Sequence, residues 1–258
     1  MRRIMVIATN TFREAVRDRV LYNLVVFAVV MIGASLLVGR ASIGIERLAL
    51  VNLGLTSISL FGILISIFLG IGLVYKEMDK RTLYTVLAAR PVRRWEFITG
   101  KWAGLVMTLV VNAAMMSVAL FAGLLYVSGK LTSADWGVVA AIYLILLQYV
   151  LMTSLALLFS TFSTPLMSSL FAFSLFVIGS YAGDLRRFAN LASGFTRVVA
   201  YGMSYAVPNF AALNMILPAA HAVPISTKLV LLDSVYVFVY AGVCLSASIL
   251  IFERRNLK

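Results

Sequence analysis

The sequence predicts an all-α integral membrane protein with six transmembrane helices. Three observations carry this reading. Hydrophobic residues make up 62% of the 258 and charged residues only 12%, against about 45–50% and about 25% in a soluble domain. Six stretches, 20–38, 53–75, 102–127, 136–159, 166–183 and 229–252, match the roughly 20 apolar residues that a hydrocarbon core of ~30 Å requires. Those stretches hold no Asp, Glu, Lys or Arg except Asp233. A backbone inside lipid must pair its own polar groups, so the stretches read as helices. The short alternating segments of a β-barrel are absent. A water-soluble enzyme could not hide this much apolar surface.

Residues 1–19 come first, as an amphipathic interfacial helix. Ile4, Ile7, Ala8, Phe12, Ala15 and Val16 share one helical face, while Arg3, Asn10, Arg13, Glu14 and Arg17 lie mostly on the other. The apolar run is too short for a cleavable signal. The first two spans occupy 20–75. A basic loop, 76–101, follows, then the third to fifth spans within 102–183. A long segment, 184–228, precedes the sixth span, 229–252, and 253–258 form a tail. The whole of 1–258 reads as one domain.

The net charge of +12 reports topology rather than nucleic-acid binding. With the N-terminus in the cytoplasm, Lys and Arg of 1–19, 76–101 and 253–258 fall inside, fifteen of the 22. Arg40, Arg47, Lys130, Arg186, Arg187, Arg197 and Lys228 fall outside. The positive-inside rule therefore places both termini in the cytoplasm of a multi-pass plasma (inner) membrane protein. In 184–228, Phe188, Leu191, Phe195, Val198 and Val199 mix with arginines, and Pro208, Pro218 and Pro224 break regularity. One interfacial helix followed by an irregular or short-helical stretch is expected outside, with a re-entrant span within 201–223 as the alternative.

Catalytic chemistry is not visible. One histidine, His221, and one cysteine, Cys244, exclude a multi-histidine metal site and an intrachain disulfide. Met203 and Met215 are too loosely spaced around His221 to make a copper site. The phosphate cradle GxxxxGK[ST] is missing: Lys101 is followed by Trp102, and Lys130 by Leu131. No ionisable group is expected at mid-membrane to couple an ion gradient.

The loop 76–101 carries the pattern. Glu77 and Arg81 are spaced four apart with the polarity that favours a helical ion pair. Met78, Leu83, Val86 and Leu87 give an apolar side, and Pro91 stops the helix at Arg90. The run Glu77-x-x-x-Arg81-Thr82-Leu83-Tyr84, then Arg90-Pro91-Val92-x-Arg94-x-Glu96-Phe97 and Gly100-Lys101, resembles the permeases of ABC-2 type transporters. So do Thr11-Phe12-Arg13-Glu14, Pro208-Asn209-Phe210 with Leu213-Asn214, and Phe252-Glu253-Arg254-Arg255. The likeness is nearest to the branch of multi-copper-enzyme maturation permeases, nitrous oxide reductase maturation permeases among them.

The resemblance implies the six-span exporter fold and a dimer of permeases, homodimeric or heterodimeric, with two copies of a separate ABC ATPase. That ATPase would hold ATP and Mg, leaving this chain without a cofactor or catalytic residue. Glu77, Arg81, Thr82, Arg90, Pro91 and Arg94 would form a cytoplasmic coupling helix and its surroundings. Pro208, Asn209 and Phe210 would serve an external gate or a periplasmic (extracytoplasmic) partner.

Helix two offers Gly62, Ser66 and Gly70 on one side, a surface for a second permease copy or for packing within one subunit. By the same resemblance, helices two and five line the path between protomers, with Ser169 and Phe173 on helix five. Export of a substrate and mechanotransmission to an extracytoplasmic partner are both compatible with these residues. Besides these proteins, membrane lipid is the expected contact; nucleic acid is not.

Overall fold

A computed structural model of the chain describes residues 2–17, 22, 26, 29–30, 32–34, 37, 45–79, 93–130, 132 and 135–254. Every regular element among them is helical. They are α1 (Arg2–Val16), α2 (Glu46–Asp79), α3 (Arg94–Ser128), α4 (Asp135–Phe162), α5 (Pro165–Ser180), α6 (Ala182–Leu191), α7 (Gly194–Ala206), α8 (Ile216–Ala220) and α9 (Thr227–Arg254).

Four helices, α2, α3, α4 and α9, are long and apolar enough to cross a membrane. The pair α5 and α6, bent by 58°, makes a fifth if it counts as one span. Most of the expected first span, 20–38, lies outside the described residues, and so does the core of the coupling loop. The expected fifth span, 166–183, is not one helix. Its straight part is α5, with 16 residues, about 24 Å at 1.5 Å per residue and short of a ~30 Å core.

Two other helices begin earlier than composition suggested. α2 starts at Glu46 rather than at 53, and α3 at Arg94 rather than at 102. Local chemistry explains both. Arg47 stays within α2 because Asp135 takes its charge at 2.9 Å. Arg93 N donates to the Glu96 carboxylate at 3.0 Å, which caps the start of α3. At the other end of α3, Gly129 adopts φ 69°, the left-handed stop that glycine supplies. α5 opens on Pro165 at its first position, where no amide hydrogen is needed.

Cross-contacts set the directions. Arg47 meets Asp135, Ser59 meets Gln148, and Gly70 meets Ala156, so α2 and α4 run parallel. α3 runs antiparallel to both, since Gly54 meets Leu120 and Trp102 meets Ser154. Phe97 near the start of α3 stacks on Phe252 near the end of α9. α1 packs against the first turns of α3. α1 and the end of α9 therefore share one end of the bundle, called here the near end. Glu46, Gly129, Asp135 and α8 mark the far end.

α2 and α4 form the centre. Of their apolar windows 72% is buried, against 28% for α9, which turns most of its surface outward. Gly62 lies under the Tyr149 ring, whose hydroxyl donates to Ile58 O. Ser59 Oγ donates to Gln148 Oε1 at 3.0 Å, and Trp102 Nε1 to Ser154 Oγ at 2.9 Å. Such interhelical bonds contribute about 0.6 kcal/mol each in membranes. Ser57, Ser66, Thr108 and Thr153 instead satisfy their hydroxyls on carbonyls four residues back.

A Cβ at Gly62 would fall inside the Tyr149 ring, whereas one at Gly72 meets nothing within 4 Å. Gly62→Val is expected to lower stability by about 1–3 kcal/mol through overpacking. Gly72→Ala should leave it unchanged or slightly raised. Thermal unfolding of both variants in one detergent measures the difference.

Candidate functional site

The near end is built on a close approach of two backbones. Gly100 and Gly104, one turn apart on α3, leave a notch into which α1 settles. A Cβ on Gly100 would stand 2.8 Å from the Ile7 side chain, and one on Gly104 2.5 Å from Ala8 O. Thr11 and Ala15 of α1 are buried as a result. Between the two glycines, Lys101 is only 2% exposed, and its ammonium lies 3.6 Å from the Glu14 carboxylate. The same ammonium stands 5.9 Å from the Phe97 ring centre. Arg3 approaches Glu96 at 3.9 Å on the same interface. Lys101, expected at the end of the basic loop 76–101, is thus part of a helix and of a buried contact.

Of the expected coupling residues, Glu77 lies on the last turns of α2 and Arg94 on the first residue of α3. Arg81, Thr82, Arg90 and Pro91 lie outside the described residues. The coupling helix expected over that stretch lies there too.

Gly62, Ser66 and Gly70 face α4 of the same chain. Ser66 is 1% exposed, and a Cβ at Gly70 would stand 3.0 Å from that of Ala156. This is packing within one subunit, and the stripe is already covered there. α5 buries Ser168, Ala172 and Gly179. Ser168 Oγ donates to Phe159 O at 3.0 Å. Ser169 is half-buried and returns its hydroxyl to Leu166 O at 2.7 Å, while Phe173 is exposed with Leu166, Leu170 and Val177.

The far end departs from the expected external segment. Two helices, α6 and α7, stand where one was expected, joined at Gly194 with φ 61°. The stretch 208–220, expected as irregular or short-helical, is made of turns and the short α8, and it is wedged into the bundle. Phe210 is 1% exposed and meets the Phe176 ring edge-on at 5.2 Å. Gly179 makes room for Pro208. Ala211 N donates to Gly179 O at 3.2 Å, and Asn209 N to the Tyr236 hydroxyl at 2.9 Å. Pro208, Asn209 and Phe210 therefore join α5 to α9. The stretch 201–223, the alternative re-entrant span, holds the end of α7, turns and the five-residue α8, whose Ile216, Ala219 and Ala220 are buried.

Arg47 closes the same end. Its guanidinium donates to Asp135 Oδ1 at 2.9 Å and to Ala220 O at 3.4 Å. Asp135 also accepts from Thr132 N at 2.6 Å. One cation thus ties α2, α4 and α8. Beside it, an open cleft of about 360 Å³ is lined by Trp136, Ala140, Val223 and Ile225. Nothing in that lining titrates. Among the described residues no three of His, Cys, Asp and Glu lie close enough to hold a metal ion.

Sequence reasoning missed four participants. Gly100 and Gly104 had the four-residue spacing that marks close helix packing, but Lys101 between them suggested a loop. Arg47 and Asp135 sat outside the predicted spans 53–75 and 136–159 with no sign that they meet.

A bundle of long apolar helices, with an amphipathic helix clamped at one end and a wedged segment at the other, is a multi-pass membrane protein. A family model described as ABC-2 family transporter protein matches residues 5–257, nearly the whole chain. The chain belongs to that family. No curated protein matches it.

Removing the Glu14 charge takes one carboxylate away from the buried Lys101 ammonium. Breaking such a pair costs up to about 3–5 kcal/mol when both groups are buried; Glu14 is 39% exposed, and solvent lowers the expected loss to about 1–2 kcal/mol. Glu14→Gln is expected to raise amide exchange across α1, and Lys101→Met added to it to restore part of the protection. Hydrogen exchange of the full chain in detergent checks this.

Proposed function

We propose that the chain is the transmembrane permease subunit of an ATP-driven ABC-2 transporter, working as one of two permease copies with two separate ATPase subunits. Its family membership over residues 5–257 carries the reading. The missing phosphate cradle in its own sequence agrees with a partner that holds ATP and Mg and carries out hydrolysis. The Lys and Arg bias supports a cytoplasmic near end with both termini inside, and the reading takes the plasma membrane as the setting.

α2 is the strut in this mechanism. It runs 34 residues without a break, about 51 Å. Its near end carries Glu77 and leads directly into the coupling segment 80–92. Its far end carries Arg47, bonded to α4 and α8. A push delivered at Glu77 travels along one helix axis and reaches the wedge at 208–220. α1, locked on α3 by the glycine notch, gives the ATPase a second rigid contact. With the Gly62 stripe covered, a path between protomers would be lined by the outward residues of α2 and α5, such as Leu60, Phe68 and Phe173. That lining has no fixed charge and suits a neutral or lipophilic substrate leaving the cell.

The Arg47 link also favours a second reading, in which the strut works an extracytoplasmic partner and nothing crosses. Uptake of a labelled compound by vesicles holding only the permease and ATPase argues for transport. Loss of function on deleting part of 184–228, with the complex intact, argues for transmission.

Glu77→Lys and Arg81→Glu, each reconstituted with the ATPase, are expected to abolish assembly or transport-coupled hydrolysis. Lys130→Glu at the far end should retain both. Full coupled activity in the two near-end variants would overturn the assignment.

A further inference from the structure

α6 and α7 form a helical hairpin that leaves the bundle. Among the described helices α7 packs on α6 alone, and α6 otherwise touches only the end of α5. The seam is narrow: Ala189 and Ala200 are buried, and the Tyr201 hydroxyl donates to Asn190 Oδ1. The large apolar side chains point away from that seam. Phe188 is 54% exposed, Leu191 88%, Phe195 83% and Val198 69%. Their spacing, 188 and 191 on α6 and then 195, 198 and 199 on α7, draws one strip across both helices.

The charge is one-sided. Arg186, Arg187 and Arg197 stand against the single acid Asp184. The Arg187 side chain is 86% exposed, and Arg197 lies over the Tyr201 ring, opposite the apolar strip of α7. The chain makes a 58° turn between α5 and α6, which carries the hairpin off the direction of the span and towards the plane of the membrane.

We propose that this hairpin is a lipid-binding surface seated in the bilayer interface at the far end. Phe188, Leu191, Phe195 and Val198 sit in the acyl boundary, and Arg187 and Arg197 rest on anionic headgroups. An apolar strip flanked by arginines is what an interfacial helix needs, and tyrosine is at home at that depth. The position fits as well: the hairpin follows directly from the far end of a membrane helix, where the nearest apolar phase is the lipid itself. A protein partner would have to cover the same strip against competition from that lipid. The inference rests on the membrane embedding of the bundle and not on the ATPase.

The test uses the full chain in a Cys244→Ser background, placed in nanodiscs of phosphatidylcholine alone or of phosphatidylcholine with phosphatidylglycerol. A nitroxide is attached at Phe195→Cys or, separately, at Arg187→Cys, and melting curves confirm that each variant is folded. The label at 195 is expected to be relaxed by oxygen and shielded from a water-soluble nickel chelate, and the label at 187 the reverse. Phosphatidylglycerol should increase the immersion of 195 by about fivefold per arginine engaged. Arg187→Gln with Arg197→Gln should remove that dependence on lipid charge while 195 stays shielded. Equal nickel access at 195 and 187 in both nanodiscs overturns the proposal and leaves the strip to a protein partner. Because no ATPase takes part, that failure would not touch the permease reading.

Discussion

The close parallel packing of α2 on α4 is the constraint from which the rest of the bundle follows. In lipid, apolar side chains gain nothing by leaving one hydrocarbon surroundings for another, so helices associate through contact area and directed bonds. Gly62 and Gly70 remove the side chains that would hold the two backbones apart, and Tyr149 fills the space opened at Gly62. Its hydroxyl on Ile58 O, with Ser59 on Gln148, then fixes the axial position of one helix along the other. Once that pair is set, α3 fits against Gly54, α8 is held by the Arg47 guanidinium on its Ala220 carbonyl, and α9 lies along the outer side of α4.

Among the described residues, an ion pair at each end of the bundle joins elements distant in sequence. Arg47 with Asp135 closes the far end over a separation of 88 residues. Lys101 with Glu14 closes the near end. A buried pair is a weak source of net stability but a strong source of geometry, because either partner alone is costly. This suits a protein whose ends must receive and deliver force. In the proposed mechanism the near-end pair keeps α1 from sliding on α3, and the far-end pair keeps α8 attached to the strut.

Hydropathy alone located α2, α3, α4 and α9, since a span excludes unpaired charge and the exclusion is visible residue by residue. It misplaced their ends because charge pairing is a property of two distant residues. Arg47 and Lys101 read as loop residues outside the spans until Asp135 and Glu14 were seen beside them. The Gly62–Ser66–Gly70 spacing announced a close approach but could not say to what, and α4 of the same chain occupies it. The stretch 166–183 read as one span because composition cannot sense the 58° turn after Ser180. That turn is supported by Pro208 and Phe210 packing on Gly179, a contact across about thirty residues of sequence.

The wedge at 208–220 bears on how an opening could arise. It is held from two sides by different means: Phe210 against Phe176 and Asn209 N on the Tyr236 hydroxyl, and the Arg47 bond to Ala220 O. The first set ties it to α5 and α9, which show most of their surface outward. The second ties it to α2, the enclosed strut. A relative shift of α2 against α5 therefore cannot leave both attachments unstrained. Aromatic packing tolerates sliding, whereas a guanidinium bonded at once to a carboxylate and a carbonyl does not. In the proposed mechanism the wedge follows α2, so axial motion of the strut is converted at the far end into movement of Phe210 across Phe176.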